Sequence, residues 1–127
     1  QTELTNMCMI YDQEGNVLVQ EKNLSYAQGL IFPGGHVEPM ESIVDSTIRE
    51  IKEEMKCDIS VKEKLTTTEH EYDFGIVNLT TFKCHLNQQL PTLTEHKEIK
   101  WLPINQLDSI EWAPADVPAV KLLIEGE

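Results

Sequence analysis

Glu50, Glu53 and Glu54 form an E-x-x-E-E pattern, and on a helix turning at about 100° per residue they share one arc about 100° wide. Glu50 and Glu54 are i and i+4, a like-charge pair that destabilises a helix by roughly 0.2–0.5 kcal/mol. Carboxylates placed at that cost converge on a point outside the helix, and a hard cation suits such a point. Mg2+ takes oxygen ligands at about 2.0–2.1 Å, commonly one or two carboxylates together with substrate phosphates. Ions of this kind reverse the local charge, polarise a phosphoryl oxygen and activate a water. An ordinary solvated acidic face is the plainer account of the three glutamates taken alone. Their neighbours say more. Arg49 can orient a carboxylate or contact phosphate. Glu41 favours the helix start and is close to the same site. Pro33-Gly34-Gly35 permits tight backbone approach, so that a glycine carbonyl can join the ligands.

Several elements must position these groups. The pattern predicts a helix over Glu41 to Lys56, with Val44, Ile48, Ile51 and Met55 spaced 4, 3 and 4 along one apolar stripe. Ahead of it, Leu4 to Tyr11 reads as a strand, Asp12 to Asn16 as a turn, Asn16 to Gln20 as the returning strand and Leu30 to Phe32 as a short extended piece. Beyond it, Ile59 to Val61 can pair as a strand. Ile76 to Leu86 carries apolar residues at both parities, as a strand buried on both sides would. Glu98 to Leu102 reads as a strand, Ile104 to Ile110 as a brief helix, and Asp116 as the N-cap of a last helix with Pro118 in its first turn. This order suggests a mixed sheet packed between helices.

The chain has 127 residues, with no repeat or linker, and reads as one domain over 1–127. Ten Lys plus Arg against 22 Asp plus Glu leave a net charge of −12. Such a field repels nucleic-acid polymers and anionic membranes, so an anionic substrate would need divalent cations to neutralise it. No apolar run reaches the roughly 18 residues of a membrane span, and Gln1 to Asn6 carry no signal-peptide design. A soluble, cytoplasmic protein is expected. Cys8, Cys57 and Cys84 are odd in number and widely spaced, which suits small apolar packers better than disulfides or zinc ligands. His70 and His96 lack partners at zinc spacing.

From Gly35 to Cys57 the chain reads G-x5-E-x7-R-E-I-x-E-E-x-K-C over 23 residues. This closely resembles the Nudix box, G-x5-E-x7-R-E-U-x-E-E-x-G-U with U bulky and aliphatic, at every catalytic position. Lys56 stands where the box has glycine and Cys57 where it has an aliphatic residue. Both are structural positions, a C-terminal turn and a packing site. The resemblance implies an α/β/α sandwich around a mixed sheet, and hydrolysis of a nucleoside diphosphate linked to another moiety with bound Mg2+ or Mn2+. It implies Glu50, Glu53 and Glu54 as metal ligands, Glu53 also as a base, Gly35 as a carbonyl ligand, and Arg49 holding Glu50.

Ser25 to Phe32 followed by PGGHVE resembles the small MutT-type members of the family, which act on nucleoside triphosphates, including oxidised ones such as 8-oxo-dGTP. These release a monophosphate and pyrophosphate. On the same resemblance, Trp112 to Asp116 meets the base: Asp116 hydrogen-bonds its edge and Trp112 or Phe32 stacks on it. The plainer account has Asp116 capping the last helix and Trp112 filling the core. An outer acid is expected before the strand ending at Trp101, and Glu95 and Glu98 are both available. Lys22 is the basic residue at hand for the phosphate tail. The expected partner is a small nucleotide, bound by a monomer or homodimer, with no nucleic-acid polymer and no membrane. An ADP-ribose or nucleotide-sugar pyrophosphatase, or a non-catalytic nucleotide sensor, are the competing functions.

Overall fold

The computed structural model describes residues 2–23, 28–87 and 98–126. Ten residues of β1 (Thr2–Tyr11) run parallel to β6 (Gly75–Leu86), from Thr2 beside Ile76 to Tyr11 beside His85. Every other pairing is antiparallel: β1 with β2 (Val17–Asn23) and β4 (Gly34–His36), β2 with β3 (Gln28–Ile31) and β7 (Glu98–Leu102), and β5 (Ile59–Tyr72) with β6. The main strand order is β3-β2-β1-β6-β5, with β4 also on β1 and β7 also on β2. The sheet is therefore mixed.

The two faces of this sheet are sorted by strand parity. Met7 and Met9 of β1 and Val17 and Val19 of β2 join Leu107, Trp112 and the helix α2 (Val117–Glu125) in one core. Cys8, Ile10 and Leu18 point the other way and join Ile51 and Met55 of the helix α1 (Ile43–Met55) in a second core. A strand covered on both faces carries apolar residues at both parities, as the run Met7 to Tyr11 does in β1 and as Ile76, Val77, Leu79, Phe82 and Cys84 do in β6. The result is the expected α/β/α sandwich. Among the described residues, no helix is long and apolar enough to cross a membrane.

Several boundaries differ from expectation, each for a local reason. Helix α1 begins at Ile43, not Glu41, because the Ser42 side chain caps it by accepting from the Asp45 N–H at 3.0 Å. Its inward face is also rolled relative to the apolar stripe. Val44 is exposed, while Ser46 and Thr47 are buried. Burial of those two hydroxyls is tolerated because Ser46 and Thr47 each donate to the Ile43 carbonyl at 2.8 Å. Lys56 does take the left-handed conformation, φ 53°, and its N–H closes the helix on the Lys52 carbonyl at 3.0 Å. The expected turn survives without glycine, and Cys57 is fully buried as a packing residue.

Strand β5 runs on to Tyr72 rather than stopping at Val61. Its later residues are mostly polar and give little apolar signal, yet they pair with β6 along an edge of the sheet. Gly34 to His36, for which no strand was expected, form β4 against Thr5 to Met7. The segment after Pro103 is a 3-10 helix, Ile104–Ser109. Asp116 stands at the N-cap position of α2 but makes no side-chain capping bond. The chain arrives there from a 3-10 turn, Pro114–Asp116, so the backbone of Asp116 is already helical. Cys8, Cys57 and Cys84 are all free and buried.

Candidate active site

Arg49 organises the acidic face of α1. Its Nε and Nη2 donate to the two Glu41 oxygens at 2.7 and 3.1 Å, a bidentate pair. Nη1 donates to Glu50 and to Glu53, each at 3.1 Å, and lies 3.5 Å from Glu38. Nη2 also donates to the His36 carbonyl at 3.1 Å. The guanidinium holds the Glu41 carboxyl below the usual carboxylate range, and Glu41 in turn raises the pKa of Arg49 further. One cation facing Glu38, Glu41, Glu50 and Glu53 leaves the cluster strongly negative.

Gly35 stands against this cluster. A Cβ there would fall onto the Glu50 carboxylate, so the missing side chain is the space that Glu50 occupies. Gly34 has a different reason for its identity, since a Cβ there would strike the Asn6 carbonyl of β1. The Asn6 side chain then joins three elements. Its Oδ1 accepts from the Gly35 N–H at 3.2 Å and its Nδ2 donates to the Ser46 hydroxyl at 2.9 Å. Asn6 is buried, and it ties β1, β4 and α1 into one frame around Glu50. Sequence reasoning missed it, although a lone amide inside the apolar run of β1 was a visible signal.

The remaining expected residues are distributed as follows. Glu53 is 61% exposed at its side chain, whereas one carboxylate oxygen of Glu54 is shielded from solvent. Among the described residues, no three His, Cys, Asp or Glu side chains stand at ion-binding distances. Two of the oxygens in question are turned toward Arg49, and the exposed Glu53 can rotate away from it at little cost. Glu98 begins β7, its backbone beside that of Glu21, and Lys22 is a backbone partner of Gly29 in β2. Glu95 and His96 lie outside the described residues. His70 packs edge-on against Tyr72 with ring centroids 4.6 Å apart.

On the opposite face, Phe32 and Trp112 are brought together, stacked on each other at 4.5 Å and 18°. Both are buried, and Trp112 Nε1 donates to the Leu107 carbonyl at 2.8 Å. Asp116 follows on the turn that the Tyr72 hydroxyl anchors by accepting from the Ala115 N–H at 3.2 Å. Burial pushes the Asp116 carboxyl up to about 6.

A mixed sheet between two helices thus carries an arginine-held glutamate seated on a glycine. The chain belongs to the NUDIX domain family, whose profile matches residues 2–123. It is a Nudix hydrolase, similar to nucleotide pyrophosphohydrolases. The MutT protein of methicillin-resistant Staphylococcus aureus 252, a Nudix family member described as a DNA mismatch repair protein, is 49% identical. That match covers 100% of this chain and 98% of that one, with a TM-score of 0.81. The CTP pyrophosphohydrolase of Escherichia coli K12 is 28% identical over 88% of this chain and 84% of its own length. The E. coli ORF135 protein superposes with a TM-score of 0.82 at 25% identity, over 98% of this chain and 90% of that one.

Proposed function

We propose that this enzyme hydrolyses a nucleoside triphosphate to the nucleoside monophosphate and pyrophosphate, using Mg2+, with Mn2+ as a substitute. The observation that carries the reading is the Glu50 carboxylate, held by Arg49 in the space that Gly35 leaves open. A carboxylate fixed so closely against backbone has its position set before substrate arrives, as a ligand must. The donor chemistry fits a hard cation, since Glu50, Glu53, Glu54 and the Gly35 carbonyl offer oxygen alone. When bound there, the cation supplies charge neutralisation at the phosphates and an activated water.

The chain's own residues then do the following. Arg49 orients Glu50, and Glu53 or Glu54 takes the proton of the attacking water. Glu95 or Glu98 adds an outer acid, and Lys22 contacts the phosphate tail. Asp116 meets the base edge, with Phe32 and Trp112 forming the wall beside it. Most of the rate comes from positioning and charge stabilisation, as in phosphoryl transfer generally. Similarity to MutT and to a CTP pyrophosphohydrolase supports a triphosphate, with an oxidised base such as that of 8-oxo-dGTP among the substrates. The charge of −12 favours a small nucleotide over a nucleic-acid polymer. We assign the enzyme to the cytoplasm, as a monomer or homodimer forming a single Nudix domain.

The test is product analysis over a panel of normal and oxidised triphosphates, ADP-ribose and a dinucleoside polyphosphate, with Mg2+, beside Glu54→Gln. Pyrophosphate and a monophosphate from a triphosphate, abolished in the variant, are expected. Release of AMP from ADP-ribose alone would overturn the substrate assignment. Tight binding without turnover would make the protein a sensor.

A further inference from the structure

Asn6 is buried in the middle of β1, just ahead of the apolar run Met7 to Tyr11. Asparagine is depleted in strands, and a buried amide needs partners for both its ends. Asn6 finds them on two different elements. Its Oδ1 accepts from the Gly35 N–H of β4 at 3.2 Å, and its Nδ2 donates to the Ser46 hydroxyl of α1 at 2.9 Å. That hydroxyl donates in turn to the Ile43 carbonyl at 2.8 Å, so the chain of bonds ends in the first turn of the glutamate helix.

Gly35 has no side chain of its own to lodge it, so its place is set by what holds the peptides on either side. The Gly34–Gly35 peptide is held at its N–H by Asn6. The His36–Val37 peptide is held at its carbonyl by Arg49 Nη2 at 3.1 Å and at its N–H by the Leu4 carbonyl at 3.0 Å. Between these two planar units lies the Gly35–His36 peptide, which carries the Gly35 carbonyl. The Glu50 carboxylate occupies the space where a Gly35 Cβ would stand. Asn6 is therefore one bond from the residue that both seats Glu50 and offers the carbonyl oxygen.

We propose that Asn6 is a positioning residue for the cation site. By tying the Gly35 N–H to Ser46 of α1, it fixes the Gly35 carbonyl relative to the Glu50 carboxylate and so sets the affinity for the divalent cation. The inference rests on the metal-dependent reading above. A leucine of similar size would fill the place in β1, but the Gly35 N–H would lose this partner and the glycine its tie to the helix. Groups that orient ligands without touching the metal typically change metal affinity or activity by about 10- to 100-fold when removed.

Asn6→Leu removes both bonds, and Ser46→Ala removes the helix end while leaving Asn6 on Gly35. Three quantities are compared with the unaltered enzyme: affinity for Mn2+ alone by electron paramagnetic resonance, the Mg2+ concentration giving half-maximal hydrolysis, and stability by urea unfolding. Asn6→Leu should weaken Mn2+ binding about 10- to 100-fold and raise the half-maximal Mg2+ concentration by a similar factor. Ser46→Ala should do the same by a smaller factor. A loss of stability with unchanged Mn2+ affinity marks a structural amide and would overturn the proposal. Where Asn6→Leu fails to fold, unchanged Mn2+ affinity in Ser46→Ala would overturn it too. If the unaltered enzyme binds Mn2+ but hydrolyses no triphosphate, the functional reading fails while the affinity comparison still decides the role of Asn6. If it neither binds nor hydrolyses, both readings fail.

Discussion

Gly35→Ala isolates the seat of Glu50 from everything else in the fold. Gly35 is not among the glycines with positive φ, so alanine meets no backbone strain. The three nearest atoms to the added methyl all belong to the Glu50 carboxyl group, the farthest being Oε1 at 2.7 Å, whereas ordinary contact begins at 3.4 Å. Even that oxygen must therefore retreat by about 0.7 Å, and the carbon and the other oxygen by more. Misplacing a reacting constellation by about 1 Å costs about 10²-fold in rate, or about 2.7 kcal/mol. Stability should change by less than about 1 kcal/mol, because the displaced atoms are the far end of a flexible side chain.

Gly34→Ala is the control. Its methyl would meet the Asn6 carbonyl and lie 2.9 Å from the Met7 Cα, so β4 would have to leave β1 and stability would fall with activity. Steady-state kinetics with a metal titration, run beside urea unfolding, separate the two effects. In a Glu50→Gln background the Gly35→Ala loss should shrink, since both changes act on one carboxylate. Wild-type kcat/KM in Gly35→Ala would refute the argument, and so would a loss of activity that merely follows a loss of stability.

Two further outcomes follow from single residues. Burial raises the Asp116 carboxyl from 3.8 to about 6, so the folded state holds this proton more tightly than the unfolded chain. Its stabilising contribution is complete below about pH 4 and is lost as pH rises through about 6, so Asp116→Asn should be the more stable form at pH 7.5 by up to about 3 kcal/mol. Urea unfolding at several pH values should show that gap closing toward pH 4, and a gap independent of pH would refute it. Lys56 holds φ at 53°, so Lys56→Gly should stabilise by about 1 kcal/mol. Calorimetry should show the midpoint rising by a few degrees with kcat unchanged, and a lower midpoint would count against left-handed strain.

The acidic face of α1 was legible because it is local: three carboxylates, an arginine and an upstream glycine are read at fixed spacings along 20 residues from Gly35 to Glu54. The interior strand β6 was legible for a related reason, since burial on two faces places apolar residues at both parities. What failed to show was decided by neighbours remote in sequence. The outer length of β5 depends on β6 lying beside it, because a polar edge strand has little apolar pattern of its own. Helix α1 is rolled onto Ser46 and Thr47, and the Asn6 amide, 40 residues from Ser46, completes that packing. Asp116 has the residue type of a cap, but the preceding 3-10 turn withdraws the backbone geometry that capping requires.

By itself, then, the amino-acid order determined the family, the mixed sheet between helices, and which residue types meet on α1, because helical spacing and two-faced burial are properties of neighbouring residues. Only the tertiary structure decided how those groups are held. Arg49 reaches back to Glu41 and the His36 carbonyl, Glu50 enters the space of an absent side chain, and Asn6 ties the glycines of β4 to the helix. It also decided that Phe32 and Trp112 face each other, and that Gln20 is buried between β3 and β7. These are contacts between segments brought together by burial of a shared core, and no spacing along the chain encodes the distance between them.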